Sequence, residues 1–473
     1  MLNYKLLIDG DMVDGDDTMG VINPATEEAF ATCARASERQ LDEAVAAATA
    51  ALPAWSAKPI DDRRKVLIAI ADAIQENSED LARLLVQEQG KPLKDARGEI
   101  FGAQAFFRHF AGMDLAPKIL ADDTTGRVEV RRKPLGVVGC IIPWNFPIVL
   151  MAFKVPPALL AGNTLIVKPA ATTPLTTLKF GEIIKELVPP GVVNIIADNN
   201  DLGGAMTAHP GIRKISFTGS TETGKKVMAG AADALKRISL ELGGNDALIV
   251  LDDVDPKAMA PKIYAAAMQN AGQVCIAAKR IYVHESIYDP MCNELAKLAS
   301  EAVVGDGLEQ GVQMGPVQNR QQFEKILGFI DSAKEDGKII AGGSRKGNRG
   351  YFIEPTIVRD ITDGSKLVDE EQFGPVMPVI KYADPAEVVA RANASIYGLG
   401  GSVWASDAEK AWRVAEQIES GSVWINKHGD LQPHIPFGGA KLSGVGAELG
   451  EEGLNEFTQL QVLSMARTDR PTR

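Results

Sequence analysis

Apolar positions change their rhythm part-way along the chain, and that change is the first guide to its architecture. Before Leu135 the rhythm is helical. Ser37 is followed by Gln40, and Leu41, Val45 and Ala48 then recur at helical spacing, which is the pattern of a capped helix start. Ser78 and the LARLLVQEQG behind it repeat the pattern and close on Gly90, a residue suited to the left-handed end of a helix. The first hundred residues are therefore predicted to be mainly helical.

From Leu135 the apolar runs LGVVGCII, NTLIVK, GVVNII and IRKISF alternate with stretches of helical period, each pair taking roughly 25 residues. Continuous apolar strands belong to a parallel sheet covered by helices on both faces, and such sheets bind ligands beyond the carboxyl ends of their strands. A second alternation, from Ala247 to Trp424, carries ALIVL, RIYVH and GSVWIN and predicts a second α/β unit. RVEVRRKPLG alternates in character and predicts a hairpin leaving the body, while the C-terminal FTQLQVLSM predicts an edge strand; both suit contacts between subunits.

The length of 473 residues agrees with more than one packed unit, since single cores stop growing at roughly 250 to 300 residues. With 45% hydrophobic and 24% charged residues, the chain has the profile of a compact protein, not a disordered one. A net charge of -12 offers no basic footprint for nucleic acid or an anionic membrane. No stretch reads as an export signal or approaches 18 uninterrupted apolar residues, so a cytoplasmic location is expected. The four cysteines, Cys33, Cys140, Cys275 and Cys292, lack CxxC spacing and read as reduced thiols. Five scattered histidines without HExxH give no metal site.

Four separated segments carry candidate chemistry: PWNFP with Asn145, NTLIVKPA with Lys168, LELGGN with Glu241, and QNAGQVCIA with Cys275. With FTGSTETG, EEQFGPV, YGLGGSVW, an early INPAT and a late PFGGAKLSG, all in order, the chain resembles the aldehyde dehydrogenase superfamily over nearly its whole length. The resemblance implies an α/β fold of two doubly wound parallel-sheet domains with a small β oligomerisation arm. Residues 1–114 and 136–244 would bind the dinucleotide, 245–445 would form the catalytic domain, and 115–135 with 446–473 would form the arm and C-terminal strand.

The same resemblance implies that Cys275 is the nucleophile, with Asn145 and the Cys275 main-chain N–H as donors to the oxyanion and Glu241 as the base that activates water. A thiolate attacks well, a neutral amide suits a developing negative charge, and burial would raise the pKa of Glu241 towards neutrality. Lys168 matches the residue at the adenosine ribose, and Gly219 and Ser220 the turn against the pyrophosphate. Glu371 and Phe373 match the pair holding the nicotinamide ribose and ring, with Ile142, Pro143, Trp144 and Leu242 lining the cleft. At Ala171 the sequence departs from members that place a glutamate there to bind the ribose 2′-hydroxyl, which leaves both NAD and NADP open. A second departure is IIADNNDLGG, where Asn199 stands at a position often held by glycine.

The substrate tunnel implied by the resemblance is lined by Phe146, Leu150, Phe153, Val274, Ile276, Leu431 and Phe437. It holds no arginine, so aromatic or medium aliphatic aldehydes are expected over carboxylated ones, with His434 a solvated residue near the mouth. Members that acylate coenzyme A lack the equivalent of Glu241, so its presence argues for release of the acid. A cysteine hydrolase would need a histidine beside Cys275, and the sequence reveals none. A homodimer or homotetramer is implied by the resemblance.

Overall fold

The computed structural model describes residues 3–467. The apolar runs become the strands Val137–Ile141, Thr164–Lys168, Val193–Ile195, Ile212–Thr218 and Arg237–Glu241, all parallel. Thr164–Lys168 is buried at every position, which is why its sequence reads as a continuous apolar run and not as an alternation. In space Val137–Ile141 lies in the middle, with Thr164–Lys168 and Val193–Ile195 on one side and Ile212–Thr218 and Arg237–Glu241 on the other. The winding reverses between Val137–Ile141 and Ile212–Thr218, and beyond their carboxyl ends lie PWNFP and the turn before Ser220.

A second sheet of seven strands runs in the order Lys338–Ala341, Thr356–Arg359, Val376–Tyr382, Ala278–His284, Asp246–Val250, Gly400–Trp404 and Ser422–Ile425. Along Asp246–Val250 alternate side chains enter two separate cores, Ala247 and Ile249 on one face and Leu248 and Val250 on the other. Both sheets are mixed, not wholly parallel. Leu6–Ile8 and Asp11–Val13 close one edge of the first sheet antiparallel, Gly444–Val445 closes the other, and Lys338–Ala341 runs antiparallel on the second.

Helix Glu38–Ala57 opens with the reciprocal cap expected of Ser37 and Gln40. Helix Ser78–Gln89 ends at Gly90, whose φ of 100° is left-handed and whose N–H donates to the Val86 carbonyl at 2.8 Å; its first cap is Asn77, one residue before the serine. The expectation of a mainly helical first hundred residues fails over residues 3–35, which form five strands before the first helix. Lys118–Asp122, Gly126–Pro134 and Thr458–Ala466 make a separate antiparallel sheet. The ends of the expected terminal segments, residues 1–2 and 468–473, lie outside the described residues. Among the described residues no helix is long and apolar enough to cross a membrane.

Candidate active site

After helix Pro256–Met268 the chain turns through three left-handed residues, Asn270, Ala271 and Gly272, with φ of 51°, 54° and 70°. Only glycine fits the last, because a Cβ there would stand 2.2 Å from the Gly374 carbonyl oxygen. The turn delivers Cys275, which is half-buried, whereas Cys33, Cys140 and Cys292 are fully buried. Lys279 Nζ donates to the Cys275 carbonyl at 2.5 Å, and a Cβ on Gly244 would lie 2.6 Å from that same oxygen. The Cys275 main-chain N–H has no acceptor among the described residues. Burial pushes the thiol up to about 12; Lys279 opposes this and the carboxylates of Asp246, Glu371 and Glu241 reinforce it.

Asn145 is buried and tied at both ends. Its amide donates to the Gln273 carbonyl at 3.0 Å, and its own carbonyl accepts from Lys91 Nζ and Asn270 Nδ2, each at 3.0 Å. Lys91 pairs with Glu99, both fully buried, and lies 3.6 Å from the centre of the Phe146 ring. The other Glu99 oxygen accepts the N–H groups of Ile148 and Val149 at 2.9 and 3.2 Å, in the first turn of helix Pro147–Ala152. One amide hydrogen of Asn145 is left to a ligand.

Glu241 ends the strand Arg237–Glu241, and neither of its buried oxygens has a hydrogen-bond partner among the described residues. Burial raises its pKa well above the usual carboxylate range, Glu448 adds to the rise and Lys154 opposes it. Lys154 pairs with Glu448 and donates to Thr218 Oγ1 at 2.7 Å.

The expected cofactor residues gather at the carboxyl ends of the first sheet. Ile142 N–H bonds the Lys168 carbonyl at 2.9 Å, and the half-buried Trp144 meets Phe373 edge to face at 5.3 Å. Glu371 accepts the Gly244 N–H at 3.0 Å and lies 3.6 Å from Lys279; a Cβ on Gly243 would fill the space at 2.5 Å from its other oxygen. Pro143 is half-buried, Leu242 packs against Gly224, and Gly219 N–H bonds the Glu241 carbonyl at 3.0 Å. Ser220 caps helix Thr221–Ala232, whose first N–H groups suit a phosphate. Lys168 pairs with Asp198, and Ala171 is buried close behind it. A cleft with a helix start, a cation and a glycine-lined wall fits a dinucleotide.

Leu150, Phe153, Ile276 and Phe437 are buried in the core of the first sheet, and Phe146, Val274 and Leu431 pack half-buried against it. Phe153 stacks on Phe106 of helix Leu93–Ala111 at 4.6 Å. His434 is exposed, with its ring 6.4 Å from that of His109.

Comparison with known proteins decides what this arrangement belongs to. The sequence profile described as the aldehyde dehydrogenase family matches residues 12–463. The chain belongs to the aldehyde dehydrogenase family. It is 40% identical to a phenylacetaldehyde dehydrogenase of Pseudomonas fluorescens, covering 98% of this chain and 96% of the relative. It is 37% identical to a glutarate-semialdehyde dehydrogenase of Pseudomonas aeruginosa, covering 98% of each. The NAD+ complex of an aldehyde dehydrogenase from Bacillus cereus superposes with a TM-score of 0.96 at 36% identity, covering 98% of this chain and 97% of that one.

Within this member of the aldehyde dehydrogenase family, several site residues escaped the sequence. Lys91, Glu99, Asn270 and Gln273 hold Asn145 and its flanks; Lys91 and Glu99 lie outside the segments singled out above, and Asn270 and Gln273 lie within QNAGQVCIA but were given no role there. His428 is the histidine near the candidate nucleophile that the sequence did not reveal: its Nε2 is 2.6 Å from the Ile276 carbonyl. The Ile276 carbonyl can only accept, so Nε2 of the neutral ring carries the proton and Nδ1 accepts from Ser402 Oγ at 2.8 Å, which in turn accepts from Trp404 Nε1 at 2.9 Å. With Nε2 donating to the Ile276 carbonyl and Nδ1 occupied by Ser402, His428 orients the loop after Cys275 and has no free lone pair for a thiol proton. Burial lowers its pKa to about 4, the Ile276 carbonyl opposing the drop. Asp246 stands 3.7 Å from that nitrogen. A cavity of about 910 Å³ nearby shares only His428 and Trp404 with this network and none of the candidate tunnel residues.

Proposed function

We propose that the protein oxidises an aldehyde to its carboxylic acid with NAD or NADP, through a covalent intermediate on Cys275. The observation that carries the reading is the half-buried Cys275 thiol with its unpartnered N–H, set against Asn145, whose amide is held with one hydrogen to spare. The Cys275 thiol gives its proton to solvent as its sulfur adds to the aldehyde carbon, forming a C–S bond while the carbonyl π pair moves onto the oxygen as negative charge. Asn145 and the Cys275 N–H stabilise that charge as fixed neutral donors. The dinucleotide that Lys168, Ser220, Glu371 and Phe373 would hold would supply the hydride acceptor needed to turn the thiohemiacetal into a thioester. Glu241, an unpartnered buried carboxyl raised towards neutral pH, takes a proton from water as the water attacks the thioester carbon. The C–S bond then breaks and the proton held by Glu241 passes to the leaving sulfur, releasing acid and thiol.

Residues 1–114 with 136–244 serve as the dinucleotide unit in this reading, 245–445 as the catalytic unit, and 115–135 with 446–473 as the arm of a homodimer or homotetramer. Lys168, Ser220, Glu371 and Phe373 would hold the dinucleotide. The seven tunnel residues are apolar, which supports aromatic or medium aliphatic aldehydes, and the likeness to a phenylacetaldehyde dehydrogenase points the same way. Four free thiols agree with the cytoplasm.

The test follows reduced-cofactor absorbance with NAD and NADP across aromatic, aliphatic and carboxylated aldehydes. Wild type is expected to turn over the apolar members, and Cys275→Ala none of them while still binding dinucleotide. Glu241→Gln is expected to give one burst of reduced cofactor and then slow turnover. Retained turnover in Cys275→Ala overturns the nucleophile, and a missing burst moves Glu241 to an earlier step.

A further inference from the structure

We propose that Asp198 sets the choice of dinucleotide, favouring NAD over NADP by neutralising Lys168. The inference rests on the reading above that Lys168 meets the adenosine ribose. Strands Thr164–Lys168 and Val193–Ile195 are parallel neighbours, so Lys168 ends one strand beside the point where the other runs on towards Asp198. The two side chains meet at 2.5 Å, with 5% of the lysine and none of the aspartate exposed. The second Asp198 oxygen accepts the Leu202 N–H at 2.8 Å, so the carboxylate is fixed at both oxygens and cannot swing away.

The pairing changes what the ribose end of the cleft can bind. An unpaired buried ammonium would attract a 2′-phosphate, which carries about -1.5 to -2 charges at neutral pH. Here the ammonium is matched by a carboxylate in the same water-poor pocket, where charges are little screened, and the phosphate meets no net positive charge. The neighbouring cation cannot replace it, because Arg35 is already engaged by Asp201 at 2.5 Å and Asp17 at 3.1 Å. A 2′-hydroxyl carries no charge and needs only one hydrogen bond, which Lys168 keeps in reserve since an ammonium has three donors. Asp198 thereby does from behind the lysine what a carboxylate at residue 171 would do directly, and it lies in the IIADNNDLGG segment that departs from the family pattern. It is a positioning residue, since it is buried and acts through Lys168.

The experiment titrates NAD and NADP separately into the full-length protein without aldehyde, by isothermal calorimetry, with thermal midpoints recorded for each variant. Wild type is expected to bind NAD at least roughly tenfold more tightly than NADP. Asp198→Asn is expected to shrink that ratio at least about tenfold, mainly by tightening NADP, and Asp198→Glu to keep it near wild type. Equal wild-type affinities overturn the proposal without any variant. So does an Asp198→Asn protein that folds with an unchanged ratio, since loss of a merely structural ion pair would lower the thermal midpoint and move both affinities together. Lys168→Met separates the two levels of argument. If it weakens both dinucleotides, the ribose placement stands whatever Asp198 does; if it weakens neither, the placement fails and the inference with it.

Discussion

At the scale of single residues, the free protein poses a conflict: the candidate nucleophile is a poor thiolate. Burial pushes Cys275 up to about 12, and Lys279, the one opposing cation, already spends a hydrogen bond on the Cys275 carbonyl. Alkylation of Cys275 by iodoacetamide, followed by mass spectrometry, is therefore expected to rise continuously from pH 7 to 10; a plateau near neutrality would show a stabilised thiolate instead. Asp246 gives a second pH signature. Burial raises it to about 7 from 3.8, with Lys279 opposing, so the folded state keeps a proton that the unfolded chain has lost between those values. Its stabilising effect is complete below pH 3.8 and disappears as pH rises through 7. Asp246→Asn stays neutral throughout, so its thermal midpoint relative to wild type is expected to climb between pH 4 and 7; a constant difference sinks the assignment. Asn145→Ala should lower kcat by about 10²- to 10³-fold, the loss of one oxyanion donor. Cys275, Asn145 and Glu241 were legible as candidates because each sits in a distinctive flank. Lys91, Glu99 and Asn270 were not, because their contacts with 145–149 span 49 to 125 residues and leave no local spacing.

Secondary-structure elements connect those residues, and Gly90 is the clearest joint between them. Helix Ser78–Gln89 stops there in a left-handed turn, and the next residue is Lys91, whose ammonium reaches the Asn145 carbonyl. A Cβ on Gly90 would meet Pro316 Cγ at 2.8 Å, and the left-handed backbone alone costs a non-glycine residue about 1 to 2 kcal/mol. Gly90→Ala is accordingly expected to lower stability by at least about 1 kcal/mol in chemical denaturation and to reduce kcat more than KM, because it displaces the clamp on Asn145, the proposed oxyanion donor, and not the proposed tunnel. Unchanged kcat with lowered stability would confine Gly90 to the fold. The end of this helix was readable from its glycine, as were the buried strands from their continuous apolar runs. Of the strands within residues 3–35, Asn3–Tyr4, Leu6–Ile8 and Asp11–Val13 were not, since they are two or three residues long and too short to show any period.

For the whole molecule the surface that asks for a partner is the antiparallel sheet of Lys118–Asp122, Gly126–Pro134 and Thr458–Ala466, the proposed arm. Strand Thr458–Ala466 pairs along one edge with Gly126–Pro134, yet from Gln459 to Ala466 every residue is exposed, on both faces. Leu460, Val462, Leu463 and Met465 stand there, with Ile119 and Leu120 two strands away. A long, flat, apolar strand with its outer edge unpaired templates association, and proteins that remain single chains blunt such edges with charge, proline or a covering element. None of these covers Thr458–Ala466 among the described residues, so a second copy of the chain is the occupant that suits it. Light scattering on wild type is expected to give two or four times the chain mass of 50.5 kDa. Val462→Lys combined with Leu460→Lys places two buried charges in that interface, each costly to desolvate, and should shift the mass towards one chain. The active-site residues lie in other elements, so a dissociated variant that still binds dinucleotide would show that the arm assembles the protein without building the site. A wild-type mass of one chain would leave this exposed strand without its partner and overturn the oligomer.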